Sequence, residues 1–381
     1  MRCGGAVLPT HLLLMAKLIA LCLLLTNHVR LLPDPYLPFL PFLDRLVPPQ
    51  VFQRSLQTLF LISAVALLFN RRVRAACLML GGVMLLAVVS SKAYYGNNKT
   101  FCGLALFLAG LYEPGREPWL LRWQLAIVYF GAGLNKLLDA DWRFGLFFEH
   151  WAVARLANSA YIAADALLPP LVLGRFMCWS TILIELALSV SFLIRKTWYW
   201  GIWLGVLSQA SLLLFTGTTF TMFFFAMEAA LLVFIDWPTP PLVVIHDGDC
   251  GICDLTRRCC RRLDQEGTFD WRSYQSGAGE AYGLPLDALR RRLHLVAAGR
   301  VYSGFHAFQM MLLYNPVTYF VMAVLLAAAP AGAAAWRRTV VALLLLFFSP
   351  LARPAGNVVY GLVARNRGRL PVSGKACRPS R

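Results

Sequence analysis

The run LVVIHDGDCGICDLTRRCC (242–260) sets Cys250 and Cys253 two residues apart, directly after a β-branched stretch. Two thiols at this spacing on the opening turn of a helix suit dithiol–disulfide exchange. The helix N-terminus presents free N–H groups and the positive end of the macrodipole, which stabilise a thiolate and lower its pKa. Cys250 falls at the cap with Gly251 behind it and is the candidate nucleophile. Cys253, one turn on, is the resolving thiol, and the disulfide would form and break through a mixed disulfide. Arg257 and Arg258 lie along the same helix and add positive potential. Asp247 and Asp249 either cap the turn and helix or tune the thiol acidity. Two other readings stay open. A zinc site could draw on Cys259, Cys260 and His246, although a knuckle needs further ligands at matching spacing. A purely structural role is the other, and Cys259 is expected in the core, on one face with Ile252, Leu255 and Leu263.

A second run, YFGAGLNKLLDADWRFGLFFEHW (129–151), places Lys136 in an apolar helix. A lysine there is costly to desolvate and raises a functional hypothesis. The plainer alternative is a snorkelling lysine paired with Asp139 three residues on, beside Trp142 in an aromatic belt. Glu185 and Glu228 are further acids inside apolar runs, available to pair with lysine or arginine.

The elements that would carry these groups differ in kind. Of 381 residues, 59% are hydrophobic and only 14% charged, a balance that points to an integral membrane protein. The net charge of +17 comes in bursts between apolar runs, such as NRRVR (70–74) and Arg195-Lys196. That pattern fits cytoplasmic loops facing a lipid membrane, and no groove-reading motif accompanies it, so nucleic acid is not expected as a partner. Candidate spans are roughly 11–32, 51–69, 74–91, 93–112, 119–138, 171–194, 198–216 and 218–236. The first is read as a retained span, since no small-residue cleavage site follows it. A span needs about 20 apolar residues, so several must tilt or pack. Counting from a cytoplasmic N-terminus puts Arg71, Arg72, Arg74, Arg195 and Lys196 inside, and leaves the chain after Trp237 in the cytoplasm.

Pro238, Pro240 and Pro241 end the last span. The pattern beyond them reads βαβαββα, the thioredoxin-like order. It comprises LVVIHD as a strand and a helix from Cys250 closed by Gly267. TFDWRSY is a strand, PLDALRRR a helical turn or two, LHLVAAGRVYSG a hairpin around Ala298-Gly299, and FHAFQMMLLY a helix. The expected architecture is a multi-span helical membrane bundle (1–237) followed by a small α/β thioredoxin-like domain (238–381). Two apolar pieces, Val317–Ala329 and Val340–Phe348, read as core or interfacial helices in preference to a transmembrane hairpin. Cys3, Cys22, Cys77, Cys102 and Cys178 stand alone in or beside apolar runs and are expected as packing.

The stretch Asp247-Gly248-Asp249-Cys250-Gly251-Ile252-Cys253 resembles the DCC family of thiol-disulfide oxidoreductase-like proteins. GRVYSGFHAF (299–308) is similar to that family's strand and helix, VVYGLVARNRGR (358–369) to its closing helix, and Cys377 to a late cysteine. The resemblance implies a thiol-disulfide redox domain for which a thiol protein or peptide is a candidate substrate; the span count, not the resemblance, puts it in the cytoplasm. Where thioredoxins carry a cis-proline before the third strand, this chain reads RRLHLV, with Pro285 too early.

The pattern YF-x-AG-x-x-KL…DADW-x-x-G resembles the vitamin K-dependent γ-carboxylase and the wider HTTM transmembrane family. The resemblance implies Lys136 as a base toward a hydroquinone, with Tyr129, Gly133, Trp142 and Gly145 as framework. In GNNKTFCGL (96–104), Asn97 and Asn98 match, while Lys99 replaces the family's catalytic histidine. No cofactor follows from the residues alone; a quinone is what this resemblance suggests. The expected function is therefore a membrane thiol-disulfide oxidoreductase in a bacterial-type plasma membrane, coupled to a quinone or other lipid-soluble substrate. The alternatives are a carboxylase-like or peptide-maturation enzyme using Lys136, and a non-enzymatic membrane scaffold.

Overall fold

The computed structural model describes residues 8–32, 41–42, 45, 48–113, 116–216, 221–235, 237–238, 241–264, 267–328, 339, 343, 346–347 and 352–366. The chain divides into two compact units, 1–235 and 236–381.

The first unit is helical. Its elements are α1 (Thr10–Leu25), α2 (Pro49–Leu68), α3 (Val73–Ser90), α4 (Asn97–Leu111) and α5 (Trp119–Leu138). Short helices α6 (Ala140–Phe144), α7 (Leu146–His150) and α8 (Ser159–Asp165) follow. Then come α9 (Val172–Leu193), α10 (Trp198–Thr216) and α11 (Thr221–Ala230), the last running into a 3₁₀ turn, Leu231–Phe234. Among the described residues three helices, α2, α3 and α9, are long and apolar enough to cross a membrane. Thr10–Leu25 and Met222–Phe234 are apolar but shorter.

Glycines set the closest helix approaches. A Cβ at Gly81 of α3 would lie 2.5 Å from the Phe107 backbone nitrogen in α4, and one at Gly110 of α4 would lie 2.8 Å from the Leu78 nitrogen. Small residues let apolar helices meet backbone to backbone, where dispersion is strongest. The expected cysteine packing is present among the described residues: Cys22, Cys77, Cys102 and Cys178 are buried and free. Cys3 lies outside the described residues.

The basic bursts share one end of this unit. Arg74 Nε donates to the Gly110 carbonyl at 3.3 Å, and Arg195 pairs with Glu117 at 3.2 Å, in the segment between α4 and α5. Arg122 of α5 pairs with the same carboxylate. Lys99 and Lys136, at the start of α4 and the end of α5, stand at the opposite end.

The second unit follows the βαβαββα order: β1 (Leu242–His246), α12 (Gly251–Leu263), β2 (Phe269–Ser273), α13 (Leu286–Arg291), β3 (His294–Ala297), β4 (Arg300–Ser303) and α14 (Phe305–Tyr314). Helices α15 (Pro316–Ala328) and α16 (Ala352–Asn366) complete it. The sheet order is β2-β1-β3-β4. β1 runs parallel to β2, with Val244 beside Trp271, and antiparallel to β3, with Val244 beside Leu295. All five β1 residues are buried, as a central strand covered on both faces requires. One face packs Leu242, Val244, Trp271, Leu295 and Met311. The other packs Val243, Ile245 and Leu289. The β3–β4 turn has positive φ at both Ala298 and Gly299, the geometry of a two-residue hairpin loop.

Two expectations shift. α12 ends at Leu263 rather than at Gly267, because the Asp264 carboxylate accepts from the Thr268 and Phe269 N–H groups and turns the chain into β2. Cys259 is exposed, with Leu255 at 42% and Leu263 at 43% exposure, and it is Cys260 that packs on the sheet. The helix is rotated from the expected face because Cys250 and Cys260, not Cys259, point inward. The first apolar piece forms α15, continuing after α14; most of Val340–Phe348, and Cys377, lie outside the described residues.

Candidate functional site

Strand β1 ends at His246 and the chain turns through Asp247, Gly248 and Asp249 to place Cys250 at the N-cap of α12. The Cys250 side chain makes no capping hydrogen bond to this helix, and its sulfur sits beside the positive end of the helix dipole. The two aspartates serve the turn: Asp247 Oδ1 accepts from the Asp249 N–H at 3.1 Å.

Gln275, just beyond β2, holds this turn from outside. Its Oε1 accepts from the Gly248 N–H at 3.1 Å, and its Nε2 donates to Asp247 Oδ1 at 2.9 Å and to Asp249 Oδ2 at 3.3 Å. Ser273 hydrogen-bonds the same amide. A Cβ on Gly248 would lie 2.7 Å from Ser273 Oγ, so only glycine leaves room for the clamp. Gln275 carries no local motif. The signal lay in topology: β1 and β2 pair in parallel with His246 beside Ser273, so the residues that follow each strand must meet.

Cys253 is in hydrogen-bonding contact with Cys250, and this contact, ahead of burial, holds the Cys253 thiol well above the ordinary value. Arg257 and Arg258 do not bear freely on the thiols, because Asp254 pairs with both, at 2.6 and 3.3 Å. Cys250 is only 2% exposed. It is reached through a cavity of about 350 Å³ that both cysteines line together with Asp247, α13, the segment before β3, α14 and α16. Among the described residues no three histidine, cysteine or acidic side chains converge as a metal site would require. His246 lies in β1 with Nδ1–H donating to the Arg272 carbonyl at 2.8 Å, and burial holds its pKa down.

In the helical unit, Lys136 does not pair with Asp139. Its Nζ lies 2.7 and 2.8 Å from the two oxygens of Glu185, on α9, and 5.0 Å from the Trp142 ring. Asp139 instead caps α6 by accepting from the Asp141 N–H. The pairing follows from packing. A Cβ on Gly133 would lie 3.0 Å from Leu186, so α5 and α9 run close enough for residues one turn along to meet. Lys99 is placed elsewhere: it donates to the Tyr94 carbonyl at 2.7 Å and sits over the Tyr94 ring at 3.9 Å. Asn98 Oδ1 accepts from the Lys99 N–H, and Asn97 Oδ1 accepts from the Tyr95 hydroxyl. The two lysines thus contact different groups. A second cavity, of about 340 Å³, is lined by Tyr129, Thr181, Glu185, Ser208 and Gln209 among apolar side chains.

Residues 244–338 match the DCC1-like thiol-disulfide oxidoreductase family. The match covers the cysteine turn and the whole sheet beyond the first two residues of β1, and so assigns this domain to a thiol-disulfide oxidoreductase class. No curated protein and no solved structure matches the chain.

Proposed function

We propose that the chain is an integral membrane thiol-disulfide oxidoreductase whose second unit works through Cys250 and Cys253 on the cytoplasmic side. The carrying observation is the placing of Cys250 at the N-cap of α12 with Cys253 one turn on, both on the wall of a cavity. Cys250, as thiolate beside the first-turn N–H groups of α12, attacks one sulfur of a disulfide and forms a mixed disulfide. Cys253 then loses its proton, attacks Cys250 and releases the second thiol. The test is trapping: Cys253→Ser should accumulate a mixed disulfide on Cys250, whereas Cys250→Ser should form none. Equal reactivity of the two variants would remove the assignment and favour a scaffold role. Impermeant thiol reagents applied from each side of sealed vesicles test the orientation.

A second reading concerns the helical unit, which resembles HTTM proteins around Lys136. Gln209 is buried, donates to the Tyr129 hydroxyl at 3.1 Å, and leaves its Oε1 without a partner on the wall of the second cavity. A buried acceptor without a donor is costly unless a ligand supplies one. A quinol hydroxyl would do so, with the Lys136–Glu185 pair alongside as proton carrier. Binding of a quinol to purified protein that survives Gln209→Leu at full affinity would contradict this reading.

A further inference from the structure

The surroundings of Cys250 restrict what can reach it. Cys250 is buried and lines the cavity of about 350 Å³, whose walls are mostly apolar: Leu289, Leu293, Phe305, Phe308 and Val359. A surface disulfide of a folded protein cannot enter such a space. An extended peptide would need free backbone groups along the lip to pair with, as strand addition requires. At Leu293, beside the cysteines, neither group is free. Its N–H donates to the Tyr360 hydroxyl of α16 at 2.9 Å, and its carbonyl accepts from the Gly304 N–H at 2.9 Å.

Charge gives the rest. Arg291 and Arg292 both line the cavity and are both exposed, so they mark its mouth. Among the described residues on the wall Asp247 is the one carboxylate, and its Oδ1 already accepts from Gln275 and from the Asp249 N–H. The two guanidiniums outweigh it. An apolar chamber with a thiol pair inside and guanidiniums at the mouth fits a molecule with a hydrophobic body around a disulfide and an anionic end.

We propose that the substrate of this dithiol is a small amphipathic disulfide bearing a carboxylate, reduced inside the cavity with the carboxylate held by Arg291 and Arg292. This rests on the thiol-exchange reading above and adds the substrate class. In the reaction the Cys250 thiolate attacks one substrate sulfur, the substrate S–S bond breaks, and the first half leaves as a thiolate that takes up a proton. Cys253 gives up its proton and attacks Cys250, forming the protein disulfide, and the second half leaves as a thiol. Two electrons pass from the protein dithiol to the substrate, and both protons end on the products.

The experiment uses the full-length reduced protein in detergent micelles and follows formation of the Cys250–Cys253 disulfide in a single turnover. The probes are bis(4-carboxyphenyl) disulfide, its uncharged bis-carboxamide, and glutathione disulfide as a polar peptide. The carboxylate probe should react about tenfold faster than the carboxamide, the scale of two partly exposed guanidinium–carboxylate contacts. Glutathione disulfide should be slowest. Replacing both arginines, R291A with R292A, should bring the carboxylate-to-carboxamide ratio to about one, and R291K with R292K should restore part of it. Equal rates for the two aromatic probes in the native protein, or a preference for glutathione disulfide, would overturn the substrate class while leaving dithiol exchange intact. If no probe oxidises the pair, the exchange reading itself fails.

Discussion

Gln275 Nε2 donates to Asp247 Oδ1 at 2.9 Å, tying the end of β2 to the turn that delivers Cys250. The same amide accepts from the Gly248 N–H, so one side chain fixes both edges of the turn. Holding a nucleophile in a reactive geometry is worth far more in rate than in stability. Gln275→Ala should therefore slow oxidation of the dithiol by about tenfold while costing about 1–2 kcal/mol of domain stability. Gln275→Glu is the sharper probe. Its carboxylate accepts from Gly248 but cannot donate to Asp247 and repels it, so activity should lie at or below the alanine level at pH 7. Measured against native protein at the same pH, its activity should recover as pH falls through the glutamate range, when a proton restores the donor. A glutamate variant as active as native protein at neutral pH would contradict the clamp.

Gly248 tests the same turn sterically. A methyl group there meets Ser273 Oγ at 2.7 Å. Gly248→Ala should displace Ser273 and Gln275 and lower stability by about 1–2 kcal/mol. Pairing it with Ser273→Gly should return part of the loss, read from thermal unfolding of the purified protein.

The Lys136–Glu185 pair predicts strong coupling between α5 and α9. The side chains are 20% and 15% exposed, so neither charge is well hydrated without the other. Lys136→Met or Glu185→Leu alone should destabilise by roughly 3 kcal/mol. The double variant should recover most of this, because removing both charges removes the unpaired one. Detergent-micelle melts of the four proteins form the double-mutant cycle; additive losses would show that the pair is not coupled.

The second unit should lose stability on acidification. His294 is held neutral by burial, with Arg292 adding to the effect; its Nε2–H donates to the Ala288 carbonyl at 3.2 Å, which works the other way, and Nδ1 accepts from the Ser303 hydroxyl at 2.9 Å. Burial, the leading cause, also lowers the pKa of His246 and His306. With folded values below the ordinary 6.5, the unfolded chain binds more protons as pH falls through 6.5. Stability is thus full above that value and declines below it until the folded values are reached. The melting temperature should fall between pH 7.5 and pH 5.5, and His294→Gln should flatten that dependence. A melting temperature that rises on acidification would contradict it.

Local pattern carried the strands and helices. β-branched runs bounded by Gly and Asp gave β1 and the β3–β4 hairpin, and apolar runs ended by Pro or basic bursts gave α2, α3, α5 and α9. The cysteine turn was legible because a cap, a glycine and a thiol one turn on are a local arrangement. What escaped was set by contacts across the fold. Glu185 lies 49 positions from Lys136, Gln275 28 from Asp247, and Tyr360 67 from Leu293. The orientation of α12 was misjudged because residues two faces apart, Cys259 and Cys260, are both apolar and adjacent in sequence. Only the sheet decides which is inward. Arg291 and Arg292 carried no signal beyond the helical run PLDALRRR, because the cavity they line is closed by α16, distant in sequence.

The central claim is that Cys250 is the attacking thiol of the pair and Cys253, whose thiol the contact with Cys250 holds up, the resolving one. Iodoacetamide labelling of reduced protein across pH 6 to 10, with each cysteine quantified by mass spectrometry, tests it directly. The account predicts that Cys250 is modified first throughout the neutral range, and that in Cys250→Ser the Cys253 thiol becomes easier to ionise, because its neighbour no longer competes for the same charge and a serine hydroxyl can donate to the thiolate. Labelling of Cys253 ahead of Cys250, or an unchanged Cys253 profile in that variant, would contradict it.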